Sequence, residues 1–366
     1  IYAYQYSANG KQSSDTETTW LAKGNQYVGG AVGQYGGGGN TLTTVKTTNS
    51  KVMGTNFVAG NVGYGSGNVE WAASENNIIT GTENYIGGNV GYHGWSCNNS
   101  NSKNNTISGN NYIGGNSGGL GWASEYNVTS ENNKITGNDY VGGCSGIGDN
   151  YYSYMNNAKS IGNNQQIKGT NHVGGVIGRI VGRAKSVQAE NCTITATGSY
   201  VGGTIGSSEY STNSISGTNS EYYSVAGANA KNVTVKASMN YVGGIVGYQV
   251  GTLYGAVLED SNITANGSNV GGITGFYTGY NGTAASYVSS TNFFLWHSYV
   301  TDSTIKGSTQ VGGITGKFVY GNIQYCYVAN SSVISEQNAV GGIVGYFDNS
   351  KLSNIQYKAT IKYNFI

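Results

Sequence analysis

The chain has 366 residues, a net charge of +1 and charged side chains at only 10% of positions. Its 18 Lys and Arg residues are scattered, and only Arg179 and Arg183 are arginine, so no nucleic-acid partner is expected, because polyanion binding needs clustered cations. With 61 Gly, 31 Tyr and no Pro, the composition is not the charge-rich, aromatic-poor one of a disordered chain; absence of proline suits a chain that is nearly all paired strand.

In chain order, Ile1-Tyr2-Ala3-Tyr4-Gln5-Tyr6 reads as a strand, with a polar linker over 7–18 behind it. Residues 1–20 are therefore assigned as an N-terminal arm with a candidate donor strand. No apolar run approaches the roughly 18 residues of a membrane helix, so no membrane span is expected. A chain that starts at Ile1 without Met or a signal peptide reads as a mature or trimmed form.

From residue 21 a hexad takes over. Its fullest form, Val-Gly-Gly-Ile-Val-Gly, occurs at 242–247 and 340–345. Its first residue recurs at Val28, Val58, Ile86, Ile113, Val141, Val173, Val201, Val242, Val270, Val311 and Val340, mostly about 28 residues apart, with two intervals of 41. A period of that length is the signature of a solenoid. Upstream of most hexads stands a second apolar residue, such as Leu21, Ile79, Ile107 and Ile135, followed by turn formers such as Glu83-Asn84 and Asn138-Asp139. Downstream runs such as Trp71-Ala72-Ala73 and 323–328 read as a third strand. The expectation is an all-β parallel β-solenoid over 21–350, with about eleven coils of roughly three short strands each. Coils stacked about 4.8 Å apart would make a rod of roughly 50 Å. The two long intervals place insertions near 207–224 and 279–294, on the side of the rod where repeat insertions commonly bind partners.

Within the hexad, the first and fifth residues share a face under strand alternation and should point inward. The fourth drifts from Asn61, Asn89 and Asn116 to Ile245, Ile273, Ile314 and Ile343. Two readings stand for it. Strict alternation turns it outward, making a lateral contact ladder of the four isoleucines; a bulge at Gly-Gly turns it inward. The residue before the hexad is aromatic or His from Tyr27 to Tyr241. That column is either stacking that stiffens the sheet or a platform for sugar rings at Tyr85, Tyr112 and Tyr140.

At the far end, residues 351–366 read as an incomplete coil. Asn354-Ile355-Gln356-Tyr357 echoes Asn322-Ile323-Gln324-Tyr325, and Tyr357, Ile361, Tyr363 and Phe365 alternate onto one face. No polar cap is evident. The last coil is therefore expected to be completed by the N-terminal strand (Ile1, Tyr2, Tyr4, Tyr6) or first coil of a second copy. A head-to-tail contact that does not close gives a filament.

The hexads, with Tyr248, Phe276 or Tyr346 following, resemble the GLUG-motif repeats of large bacterial surface and secreted proteins, adhesin-like proteins among them. The resemblance spans nearly the whole chain. It implies an extracellular or cell-surface β-solenoid. Ala59 at the second position and Ser117 and Ser145 at the fifth depart from the pattern.

Searches for chemistry return no set of residues. HExxH is absent, His93, His172 and His297 fall at different coil positions, and carboxylates are sparse. Cys97, Cys144, Cys192 and Cys326 share no metal-ligand spacing, though their pairing as disulfides stays open. No catalytic residue, cofactor or metal is expected. Two functions remain: a self-assembling extracellular structural filament, or an adhesin stalk that binds surface glycans or matrix through the aromatic column and inserted loops. An ice-binding array would need regular Thr columns, and the only Thr-rich patch, 41–48, lies outside the repeat register.

Overall fold

The computed structural model describes residues 20–37, 39–209, 223–279, 293–348, 360–362 and 364–366. They form a parallel β-solenoid with three sheets of eleven strands and a fourth of 19. Among them no helix is long and apolar enough to cross a membrane. Ile1, Tyr2, Tyr4, Tyr6, Tyr357, Tyr363 and most of both insertions lie outside the described residues.

One coil shows the plan. Strand a is Ala73–Glu75, b is Ile78–Gly81, c is Asn84–Gly87, d is Val90–His93 and e is Ser96–Asn98. Strands c, d and e each build an eleven-rung ladder, while a and b share the fourth sheet. They share it because Lys159–Gly169 and Gln188–Ala196 run through both positions. Two of the three expected segments are thus each divided by a corner. The hexad breaks at Gly-Gly into c and d, and the third segment breaks into e and a.

Register follows the hexad throughout. Val58 pairs with Val28 and Ile86, and the column continues unbroken to Val311 and Val340. In the first coil the inward residue of strand b is Ala22, opposite Val52, and the expected Leu21 is exposed. Neighbouring strand positions point to opposite faces, so a one-residue offset moves Leu21 outside.

The hexad's fourth residue turns inward. Ile245, Ile273 and Ile314 are fully buried, and Ile343 is packed on the same core. The lateral contact ladder is therefore not on the surface. The cause is the corner between c and d, where the N–H groups of Asn89 and Val90 both donate to the Asn116 carbonyl (2.8 and 3.0 Å), and those of Ile245 and Val246 both donate to Ile273 (3.1 and 2.9 Å). The turn of the chain at Gly-Gly interrupts the alternation, so the first, fourth and fifth positions all line the lumen. Glycine is required beside them. A Cβ on Gly88 would collide with the Ser102 side chain, and one on Gly118 with the backbone of Tyr85 and Ile86.

Three corners of the coil are left-handed. Tyr27, Phe57, Tyr85, Tyr112, Tyr140, His172, Tyr200, Tyr241, Asn269, Gln310 and Ala339, the residues before the hexads, all have φ between 52° and 64°. Trp71, Asn99, Asn127 and Asn157 have it at the e–a corner, and Asn76, Asn104, Asn132 and Asp260 at the a–b corner. Asn and Asp adopt this region readily. Bulky aromatics do not, so their column carries strain of about 1–2 kcal/mol per residue, which ring stacking offsets by about 0.5–1.5 kcal/mol per pair.

Both insertions leave the same corner. One lies between Ile205–Glu209 (d) and Val225–Ala226 (e), the other between Thr274–Thr278 (d) and Phe294–Trp296 (e).

Candidate functional site

Eight rings stack along the aromatic column, from Tyr27 to Tyr241. Tyr85 has Phe57 on one face (5.0 Å between centroids) and Tyr112 on the other (4.7 Å); Tyr140 lies between Tyr112 (5.0 Å) and His172 (4.7 Å). With both faces of Tyr85, Tyr112 and Tyr140 covered by neighbouring rings, the expected sugar platform presents no open ring face. Packing also moves the ionisation of these groups. Burial, then Tyr112 and Asp149, pushes Tyr85 up to about 12. Burial holds His172 down at about 4, with Arg179 acting in the same direction and Glu209 and Asp139 opposing. Its Nδ1 is 2.7 Å from Ser207 Oγ.

Inside the rod is a polar cluster that the sequence did not reveal. An amide ladder runs along the lumen: Asn61 Nδ2 donates to Asn89 Oδ1 (2.7 Å), Asn89 Nδ2 to Asn116 Oδ1 (2.6 Å), and Asn116 Nδ2 to Glu125 Oε1 (3.2 Å). Spare N–H groups of Asn61 and Asn89 go to the Ala73 and Asn101 carbonyls. A row of amides that all donate in one direction needs an acceptor at its end, and the Glu125 carboxylate is that acceptor. The hydroxyls of Ser117 and Ser145 donate to its two oxygens, and His93 Nε2 lies 3.5 Å from Oε1. The two Ser departures from the hexad pattern thus serve a buried carboxylate.

These residue types occur together in hydrolases, but the geometry here is a different one. Both hydroxyls are committed to Glu125, neither ring nitrogen of His93 has a hydrogen-bond partner among the described residues, and His93, Ser117, Glu125 and Ser145 have no solvent-exposed surface. A nucleophile needs a base and a route to substrate; this cluster holds the lumen together instead. The four cysteines are buried and free, which settles the disulfide question for these residues. Burial pushes the thiols of Cys97, Cys192 and Cys326 up to about 12, and that of Cys144 well above its ordinary value.

The C-terminal end face is apolar and uncovered by any described residue. Val340 is 57% exposed and Ile366 85%, and Ile334, Tyr346, Phe347, Ile361 and Phe365 are exposed beside them. A concavity of about 550 Å³ is lined by Val328, Val333, Val340, Gly342 and Ile366. The pairing there differs from the sequence echo. Thr360–Lys362, not 354–356, lies opposite Asn322–Gln324, with Ile361 against Ile323. Phe365 then bridges to Tyr327 of strand a, and the Phe365 N–H donates to the Cys326 carbonyl at 3.0 Å. Ile366 follows in the inward place, over Gly342, as Val328 sits over Gly313 one coil earlier.

The first described strand, Trp20–Lys23, holds the b position and pairs with strand b of the second coil. At the opposite end face the columns start with Ala22, Val28, Ala31 and Val32, all aliphatic and packed on the core. Of the expected assembly residues, Ile361 and Phe365 lie on the C-terminal face; Ile1, Tyr2, Tyr4, Tyr6, Tyr357 and Tyr363 fall among residues not described.

No family model matches the chain, and no curated protein or solved structure matches it either.

Proposed function

We propose that this chain is an extracellular structural protein that assembles head-to-tail into a filament, each copy seating its first coil on the last coil of the next. The observation that carries this reading is the apolar end face of coil 11, where Val340, Ile361, Phe365 and Ile366 are exposed among the described residues. Parallel strands need no change of direction at such a joint. Among the described residues no strand pairs with the outer edges of the b, c, d and e strands of coil 11, and such edges are the kind that pairs with another chain. Aliphatic columns meet on both sides: Val333, Val340, Ile343 and Val344 on one, Ala22, Val28, Ala31 and Val32 on the other. The likeness of the hexads to GLUG repeats supports the extracellular setting.

Sedimentation velocity over a concentration series tests the joint. The wild-type chain should form species that grow with concentration. Val340→Asp puts a carboxylate on an exposed end-face position, so it should stay monomeric with an unchanged circular dichroism spectrum. Equal growth in the variant would remove the proposed interface.

A further inference from the structure

The tryptophans are not spread around the coil. Of five in the sequence, Trp71, Trp95, Trp122 and Trp296 lie on strand e or at its two corners. Three are open to solvent: Trp71 is 61% exposed, Trp95 53% and Trp122 67%. Trp122 leans on Tyr152 of the next coil, with centroids 4.9 Å apart and planes tilted by 39°, and Tyr152 contacts Tyr151. Tyr126 and Tyr154 continue the wall on the outer side of strand e. Unlike the rings of the stacked column on the c and d side, Trp71, Trp95 and Trp122 are each more than half exposed, and the Trp122–Tyr152 contact is tilted, not stacked. Exposed aromatics of this kind mark contact surfaces, because one side chain offers a large apolar face.

The polar groups beside the rings are neutral. At the e–a corner Trp71 heads a column of amides in which Asn127 Nδ2 donates to Asn99 Oδ1 (3.0 Å) and Asn157 Nδ2 to Asn127 Oδ1 (2.8 Å). Strand e adds Ser96, Asn98, Ser124 and Asn156. Over 95–101, 122–127 and 150–157 the one ionisable acid is Glu125, which points into the lumen, and there is no Lys or Arg. Asp149 beside the wall adds negative charge, and the nearest arginine, Arg183, lies over the Tyr154 ring at 5.6 Å. The nearest lysine on strand e, the exposed Lys185, stands in register with Asn156 one rung beyond the wall, so within coils 3 to 5 this strand offers an anionic ligand no cation. A ligand with C–H faces for the rings and hydroxyls for the amides does fit.

We infer that the strand e wall of coils 3 to 5 binds neutral polysaccharide, with Trp95, Trp122 and Tyr152 as stacking surfaces and the Asn99–Asn127–Asn157 amides as hydroxyl partners. The ligand lies along the rod axis, because the rings and amides repeat from coil to coil. This places glycan contact on strand e and not on the aromatic column offered as one alternative from the sequence, and it does not depend on assembly.

Affinity electrophoresis of the full chain tests this, with mannan, xyloglucan or soluble β-glucan cast in the gel, and polygalacturonate as the anionic comparison. At least one neutral polymer should retard the wild type and polygalacturonate should not. Trp95→Ala with Trp122→Ala should weaken the retardation by about tenfold, the loss expected for two stacking rings, with an unchanged melting temperature because both rings are exposed. Tyr112→Phe, in the stacked column, should leave it unaltered. The proposal fails if no neutral polymer retards the chain, if only polygalacturonate does, or if the double variant is retarded like the wild type. Loss of lateral self-association in the double variant, without any polysaccharide effect, would also overturn it.

Discussion

The first and second halves of the rod share one backbone plan and have opposite interiors. In coils 2 to 5 the hexad's fourth residue is Asn61, Asn89, Asn116 and Cys144, and in coils 3 to 6 strand a turns Ser74, Ser102, Ser130 and Ser160 inward. At the a–b corner the side-chain oxygens of Asn77, Asn105, Asn133 and Gln165 each accept an N–H from the coil before. Further along, the same places hold Ile245, Ile273 and Ile314, then Leu258, Val300 and Val328. The backbone ladders are satisfied in both halves, so the lumen is free to be either polar or apolar. What differs is tolerance. An apolar column loses contacts one side chain at a time, whereas an amide ladder fails at the first missing partner.

The contrast can be broken most forcefully at Glu125. Glu125→Ala leaves Asn116, Ser117 and Ser145 without their acceptor in the lumen, and we expect a loss of roughly 3–5 kcal/mol, because three buried donors are each left unpaired at about 1–3 kcal/mol. Hydrogen exchange should show protection falling in coils 3 to 5 while coils 8 to 10 keep theirs, because repeats are coupled chiefly to their neighbours. Uniform loss along the rod would mean that the halves are one cooperative unit.

Asn89→Val interrupts the ladder without removing the acceptor at its end. It orphans the Asn61 amide and the Asn116 carbonyl oxygen, at about 1–3 kcal/mol, read as a lowered denaturant midpoint. The matching change in the apolar half, Ile273→Val, should cost only about 0.5–1.5 kcal/mol. An Ile273→Val loss equal to or larger than that of Asn89→Val would contradict the difference in tolerance.

The smallest effect expected lies at the junction, where His172 interrupts the tyrosines. Burial holds its folded-state value at about 4 against an ordinary 6.5. A base with a depressed value charges more readily when unfolded, so its contribution is complete above pH 6.5 and is lost as pH falls from there towards 4. His172→Tyr should flatten that part of the melting-temperature profile between pH 7.5 and 4.5. A profile of unchanged slope would assign the acid sensitivity to other groups.

Much of this architecture was legible because the hexad is both a spacing and a steric demand. Gly88 and its counterparts are required wherever the corner meets strand a, so the repeat set the coil count and the register. Alternation alone left the fourth residue open between an inward and an outward place, because the corner between c and d interrupts it; the burial of Ile245, Ile273 and Ile314 decides for the inward one. The left-handed aromatic corner was hidden too, since Tyr and Phe are poor residues for it; the signal was the passage of the column into Asn269, a residue that accepts that conformation. Glu125 gave least away. Its partners at 93, 116, 117 and 145 come from three successive coils, and only the paired replacement of aliphatics by Ser117 and Ser145 pointed to a buried polar group. The tryptophan wall became visible only once strand e was placed, because its residues precede and follow different corners.

The measurement that tests the filament reading most directly is negative-stain electron microscopy of the purified chain over a range of concentrations. Head-to-tail stacking predicts unbranched fibres with the width of a single solenoid, an axial repeat of roughly 50 Å from eleven coils, and none from Val340→Asp. Isolated short rods at every concentration, or fibres that persist in Val340→Asp, would contradict it.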